Sequence, residues 1–255
     1  GVDPWLTLPA SLIVGGLAGL FTGLVHVKLK VRNLLAGIIT MTALFSVNLQ
    51  IAGSNLTIDR GTDTIFTSAP VMALFGDLSL SGRKLIVSLA LVIVIKLLLD
   101  AYFHTKSGLL LRAVGDNATL VTTLAKDRGT VKILGLVISN ALVAFGGCIV
   151  CHETRSFSAT MGTGQLVYGL AAVIIGEAVF SRIFHNFALK LVSVSIGAII
   201  YYVVIQLVLT LGFDANLLKL LSASVVAVFL AVPYWKSKYF SKPVKKAQKE
   251  DAKNA

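Results

Sequence analysis

Charged residues are scarce in this chain, and their scarcity decides the class of protein. Asp, Glu, Lys and Arg make up 14% of the 255 residues, whereas 56% are hydrophobic. Soluble domains carry roughly 25% charged residues. So much apolar surface needs lipid around the outside of the molecule, which excludes an ordinary soluble domain. The composition is that of an integral membrane protein.

Acidic residues, cysteines and phosphate-binding loops are also few or missing. Only 12 Asp and Glu oppose 23 Lys and Arg, which gives a net charge of +11. In a membrane protein such cations mark cytoplasmic loops, so we expect no nucleic-acid partner. The two cysteines are too few for a disulfide framework. No G-x-x-x-x-G-K-[S/T] sequence occurs, so the chain lacks the loop that cradles ATP phosphates.

Long apolar runs are what the sequence does contain. A helix needs about 20 mostly apolar residues to cross a bilayer, and about seven segments approach that length. This predicts an all-α, polytopic transmembrane helix bundle over residues 1–233, followed by a basic tail over 234–255. The fifth segment is short and Gly-flanked, so we expect a broken or tilted helix there. The segments are 5–27, 34–52, 85–103, 131–151, 166–180, 191–211 and 217–232.

Two patterns inside the segments predict particular contacts. Gly15, Gly19 and Gly23 recur every four residues, and such a face lets two helix backbones approach closely in a membrane. Lys96 lies one turn before Asp100, so we expect an i,i+4 ion pair with the lysine reaching toward the membrane surface.

The cations divide unevenly between the two sides of the predicted bundle. Counting Lys and Arg outside the segments gives 17 on one side and 4 on the other. Positive charge concentrates on the cytoplasmic side of membrane proteins. We therefore place 104–130 and 234–255 in the cytoplasm, and 54–83 and 152–165 outside.

A C-x-x-C-H match at Cys148, Cys151 and His152 raises the alternative of a haem or redox anchor. No Met or further His follows at a distance suited to a second axial ligand. Small buried thiols are common packing residues. We therefore expect these residues to pack, and we expect no cofactor and no metal site in this chain.

The longest cytoplasmic connection, 104–130, reads HTKSGLLLRAVGDNATLVTTLAKDRGT. Its apolar residues fall near helical spacing, interrupted by Gly115, which favours a short amphipathic helix–turn–helix at the membrane surface. SGLLLRAVGDN followed by AKDRG resembles the coupling loop of permease subunits in bacterial ABC importers of the branched-chain amino acid type. The resemblance continues in AGIITMTALFSVNLQIAGSNLTI (36–58) and FSATMGTGQLVYGLAAVIIGEAVF (157–180), in the family's order.

The resemblance implies a type II-like ABC importer permease of the bacterial plasma membrane, a transport subunit and not an enzyme. It is nearest to permeases paired with tryptophan- or tyrosine-type binding lipoproteins, which implies a small solute such as an aromatic or branched-chain amino acid. The implied partners are an ATPase dimer that binds ATP and magnesium, a second permease copy and an external binding protein. Family permeases usually begin with one or two further helices, which we expect ahead of Gly1. The implied coupling positions are Arg112, Ala113, Gly115, Asp116 and Asn117.

Polar side chains within the apolar segments are candidates for the translocation pathway. Polar groups at membrane depth are costly and tend to face a pathway or another helix, so hydrogen bonding between helices is the alternative role for each. A second alternative is an ion-coupled secondary transporter, with Glu177 in the ion site. The pathway candidates are Ser46, Asn48, Gln50, Asn140 and Glu177.

Overall fold

The computed structural model describes residues 3–116, 128–163, 165–180, 186–212, and the isolated positions 220, 223, 224, 227, 228 and 231. Within them the chain is almost entirely helical, with one short two-stranded ribbon. Five helices are long and apolar enough to cross a membrane, which confirms the all-α polytopic bundle. The seventh predicted segment, 217–232, and the tail, 234–255, lie outside the continuously described residues. Compact packing divides the chain into two units, 1–162 and 163–255.

Within its described residues the first unit holds six helices and the ribbon. The helices are α1 (Pro4–Val27), α2 (Asn33–Ala52), α3 (Ala69–Phe75), α4 (Leu80–Phe103), α5 (Lys106–Asp116) and α6 (Arg128–Thr154). The strands are β1 (Asn55–Thr57) and β2 (Ser156–Ser158). α1, α2, α4 and α6 correspond to predicted segments, but α4 begins five residues earlier than expected. Ser79 starts it there, because its hydroxyl accepts a hydrogen bond from the Gly82 N–H at 3.3 Å and so caps the helix.

The centre of the first unit is an antiparallel contact between α1 and α6. Gly15, Gly19 and Gly23 are all buried, and they lie against successive turns of α6 near 140–144, 136–137 and 133. A Cβ at Gly19 would lie 2.8 Å from the Val137 Cα, closer than real Cβ atoms come. The predicted glycine face is therefore confirmed, and α6 is the helix it meets.

At one end of this unit, ribbon and loops form a packed cap. Strand β1 pairs antiparallel with β2, with Leu56 opposite Phe157. Ile65 and Phe66 are fully buried in an apolar cluster with Leu8, Val87 and Phe145. This pairing brings 54–83 and 152–162 to the same end of the unit, as the topology prediction requires.

The second unit contains α7 (Gln165–Phe180) and α8 (Phe187–Thr210). Glycines again bring the two backbones together: a Cβ at Gly197 would lie 2.6 Å from the Gly176 amide nitrogen. Near this contact the rings of Tyr168 and Tyr201 pack against each other, with their centroids 5.6 Å apart and their planes tilted by 40°. The fifth predicted segment is thus a short but continuous helix, and its pairing with α8 uses the same small-residue packing as α1 and α6.

The structure shows the contacts of two further sets of polar residues, the Lys96–Asp100 pair and the C-x-x-C-H residues. Lys96 and Asp100 form the expected ion pair along α4. Cys148 and His152 face α1, where the His152 Nε2 lies 2.9 Å from the Thr7 hydroxyl and the Cys148 thiol donates weakly to the same oxygen. Cys151 points elsewhere, toward Met161. Two of the three C-x-x-C-H residues thus contact α1, and the third contacts the segment that follows β2.

Candidate functional site

The first candidate region is the short helix α5, which carries four of the five implied coupling positions. Arg112, Ala113, Gly115 and Asp116 all lie in this one helix. Asn117 lies outside the described residues. The helix continues through Gly115 to Asp116, so the glycine does not interrupt it as the sequence pattern suggested.

α5 begins immediately after α4 because Thr105 starts a new helix. The Thr105 hydroxyl accepts a hydrogen bond from the Gly108 N–H at 3.2 Å, and its carbonyl accepts from the Leu109 N–H at 2.9 Å. A threonine hydroxyl that accepts a hydrogen bond from the backbone N–H three residues later is a common cap at the start of a helix. The spacing of Thr105 and Gly108 in the sequence was the available signal for this start.

α5 is held against two membrane-spanning helices. Gly108 is buried so close to the end of α4 that a Cβ there would lie 2.5 Å from the Phe103 Cα. The Tyr102 hydroxyl lies 3.2 Å from the Ser107 hydroxyl. On the other side Leu111 packs on Gly135 of α6, where an added Cβ would meet its Cδ1 at 2.9 Å. A displacement of α5 must therefore move α4 and α6 as well.

The opposite side of α5 faces outward. Leu109 is 51% exposed, and Arg112 and Gly115 are also exposed. These residues follow one another every three positions, so they form one stripe along the helix. The surface of the stripe consists of an apolar side chain, an arginine and the bare backbone of a glycine. Ala113 lies beside the stripe and is half-buried.

The pathway candidates fall in three places. Ser46, Asn48 and Gln50 are exposed on the C-terminal half of α2, and Asn140 lies on α6 next to the α1 contact. Glu177 is exposed on α7, in the second unit. No hydrogen bond within the described residues joins any two of these side chains.

Two of these polar side chains form hydrogen bonds within their own helices. The Asn140 amide donates to the Leu136 carbonyl at 2.9 Å, and the Ser46 hydroxyl donates to the Thr42 carbonyl at 3.4 Å. Besides the Thr7–His152 bond, Thr22 and Thr40 form a hydrogen bond between helices, with their hydroxyls 2.9 Å apart between α1 and α2. This pair was not predicted from the sequence. Its signal was a threonine directly beside Gly23 on the packing face of α1.

Asn48 and Gln50 differ from the other amide. Both are exposed, and within the described part of the chain neither has a hydrogen-bond partner. An amide facing lipid would leave its polar atoms unsatisfied at a cost of several kcal/mol. This end of α2 therefore needs a polar surrounding, and the described residues do not supply one.

Comparison with known proteins supplies the family. The model of the branched-chain amino acid transport system permease component matches residues 1–233. The tyrosine transport system permease protein of Clostridioides difficile is 35% identical over 231 residues, which cover 91% of this chain and 74% of that protein. A probable branched-chain amino acid transport permease of Methanocaldococcus jannaschii is 30% identical over 69% of this chain and 57% of its own length.

More distant relatives carry other solutes in their names. The ribose import permease of Escherichia coli is 26% identical over 88% of this chain and 64% of its own length. No solved structure is significantly similar to the chain. The family match extends across nearly all of the described residues, including α5 and both helix units. The chain belongs to the branched-chain amino acid transport permease family.

Proposed function

We propose that this permease imports an amino acid, most specifically an aromatic one, that an external binding protein delivers. As an ABC permease it is an integral membrane transport component and not an enzyme, and it works with an ATPase and a substrate-binding protein. The observation that carries the choice of solute is the 35% identity to a tyrosine permease over 91% of the chain. Ribose and nucleoside permeases reach only 26%.

The exposed stripe of α5 is the proposed docking surface for the ATPase. Leu109 gives apolar contact, Arg112 gives a directional polar contact, and Gly115 lets a partner approach the backbone, since a Cβ there would meet nothing within 4 Å. Protein interfaces combine an apolar centre with a few polar contacts in this way. Arg112, Ala113, Gly115, Asp116 and Asn117 are thus proposed as the coupling positions, with ATP and magnesium bound by the ATPase.

The contacts of α5 give the proposed coupling a physical route. Gly108 fixes α5 to α4, and Leu111 fixes it to α6 through Gly135. α6 is in turn locked to α1 along the glycine face. Movement of the ATPase would therefore reach three membrane-spanning helices without passing through a flexible linker.

Asn48 and Gln50 are proposed to face the solute pathway, together with Ser46, Asn140 and Glu177. The pathway would be completed by a second copy of the permease, which would give the amides of α2 a polar surrounding that the described residues of one subunit do not provide. In this assembly 104–130 and 234–255 face the cytoplasm, as the 17-to-4 distribution of cations indicates.

Nothing observed favours the ion-coupled alternative. Glu177 is exposed on α7. The named relatives are permeases of ABC type.

The test is reconstitution of the permease in proteoliposomes with its ATPase and binding protein. Labelled tyrosine, leucine and ribose are offered outside, with ATP or a non-hydrolysable analogue inside. We expect tyrosine uptake to exceed leucine uptake and to require hydrolysable ATP. An ATPase variant lacking its P-loop lysine is the matched control. Ribose uptake without amino-acid uptake would contradict the proposed solute, and uptake without ATP would contradict the proposed energy source.

A further inference from the structure

Three helix ends meet around a groove at the end of the first unit opposite the ribbon. It is an open groove with a volume of about 690 Å³, within the range of about 300–1,000 Å³ that ligand pockets occupy. Its wall comes from the last turn of α1, the α1–α2 turn, the first residue of α2 and the first turn of α6. The lining residues are His26, Val27, Lys30, Val31, Arg32, Asn33, Gly129 and Lys132.

The described residues that line this groove carry only positive charge. Lys30, Arg32 and Lys132 contribute three cations, and among the described residues no carboxylate lines the wall. Within the described residues none of the three forms an ion pair, since the pair found there joins Lys96 and Asp100. Like charges brought together around one groove repel one another. An anion in the groove would remove that repulsion and gain three attractive contacts.

The turn that carries two of the cations has a fixed conformation. The His26 ring donates from Nδ1 to the Val31 carbonyl at 2.7 Å, and the Lys28 N–H donates to the Leu24 carbonyl at 2.8 Å. Lys30 has a φ of 55°, a left-handed conformation that residues with a Cβ rarely adopt. A glycine would fit this position without strain, so the lysine is held there at a cost to stability. Strained backbone of this kind is typical of functional positions.

We propose that the groove binds the phosphate of an anionic phospholipid headgroup. Arginine suits this ligand because its guanidinium can donate two parallel hydrogen bonds to phosphate oxygens. Basic pockets between membrane helices on the cytoplasmic side are suited to anionic headgroups. The groove lies at the ends of three apolar helices, where a headgroup would sit.

The residues next to the cations favour a lipid over a soluble phosphate. Leu29 is 69% exposed and Leu34 is 76% exposed, and they flank the basic turn in the sequence. A headgroup held by Lys30, Arg32 and Lys132 would bring its acyl chains beside these leucines. A soluble anion has no acyl chains and would make no contact with them.

The test measures lipid binding to the purified permease by native mass spectrometry in detergent. Short-chain phosphatidylglycerol and phosphatidylcholine are titrated separately, with inorganic phosphate as a competitor. The test variant is Arg32→Gln with Lys132→Gln. The matched control is Lys28→Gln, which changes an exposed lysine of the same turn that does not line the groove.

We expect the unaltered chain to prefer phosphatidylglycerol by about tenfold or more, and the test variant to lose that preference while the control keeps it. Lys30→Gly should raise the melting temperature and still weaken phosphatidylglycerol binding, because it removes both the strain and a cation. Equal binding of the two lipids, or equal behaviour of test and control variants, would overturn the proposal. Full displacement by millimolar inorganic phosphate would assign the groove to a soluble anion instead. If the test variant lost the copurifying ATPase but kept its lipid preference, the groove would be assigned to a protein partner.

Discussion

The close backbone contact of α1 with α6 at Gly19 allows a controlled test of glycine packing. Gly16 and Gly19 lie on the same helix, near the same residue of α6. A Cβ at Gly16 would lie 3.6 Å from a Val137 methyl group, an ordinary contact, whereas a Cβ at Gly19 would lie 2.8 Å from the Val137 Cα. A backbone atom cannot rotate aside as a side chain can. Gly19→Ala must therefore push α1 and α6 apart, and Gly16→Ala need not.

The magnitude follows from two opposing terms. Replacing glycine by alanine in a helix gains about 1 kcal/mol from reduced backbone freedom, and this gain is common to both variants. Overpacking a tight contact costs about 1–3 kcal/mol, and this cost falls only on Gly19→Ala. The difference in free energy of unfolding between the two variants should thus be about 1–3 kcal/mol, with Gly16→Ala at least as stable as the unaltered chain.

The assay is reversible unfolding of the purified chain in mixed micelles, followed by circular dichroism as the denaturing detergent increases. Gly37→Ala is a further control, because a Cβ at Gly37 would meet nothing within 4 Å. If Gly16→Ala and Gly19→Ala unfold at the same detergent fraction, the two helices are not in backbone contact at Gly19. The proposed route from α5 through α6 to α1 would then lose its last step.

Three further predictions concern ATPase docking, solute uptake and membrane topology. Arg112→Ala with Asp116→Ala should weaken ATPase docking by about 2–4 kcal/mol if both groups are desolvated there; normal copurification and normal stimulated hydrolysis would contradict the coupling role. Glu177→Gln should reduce solute uptake in a folded, assembled protein, and unchanged uptake would show that the carboxylate is dispensable. In a Cys-free background, a single cysteine at position 116 should resist an impermeant thiol reagent in intact cells, whereas one at position 60 should react; the reverse result would invert the topology.

The features predicted correctly from the sequence are those encoded by residues close together in the chain. The spacing of Gly15, Gly19 and Gly23 is visible within three turns, and so is the pairing of Lys96 with Asp100. The apolar runs likewise gave the membrane-spanning helices, because length and composition alone decide whether a segment suits a bilayer. The beginning of α4 was misplaced because capping by Ser79 was not weighed against hydropathy.

What could not be predicted depends on contacts between distant residues. Strand β1 pairs with β2 about a hundred positions later, and neither three-residue strand carries a pattern strong enough to indicate a sheet. The bond between Thr7 and His152 likewise joins α1 to the far end of α6. For α5, composition indicated an amphipathic helix, but only the structure shows that Gly108 and Leu111 fix it to two membrane helices. The candidate pathway residues were chosen by polarity, and polarity alone cannot say which helices stand beside each other.

The antiparallel contact of α1 with α6 also sets an order for biogenesis. α1 ends at Val27 and α6 at Thr154, so the ribosome must add 127 further residues before the partner of α1 is complete. At about 5–20 residues per second this takes about 6–25 s. Throughout that interval the glycine face of α1 lies in the membrane without the helix that covers it, while α2 and α4 insert. Closure of α1 on α6 then joins the two ends of a segment of about a hundred residues, so the intervening helices are committed to the membrane before the first unit can become compact.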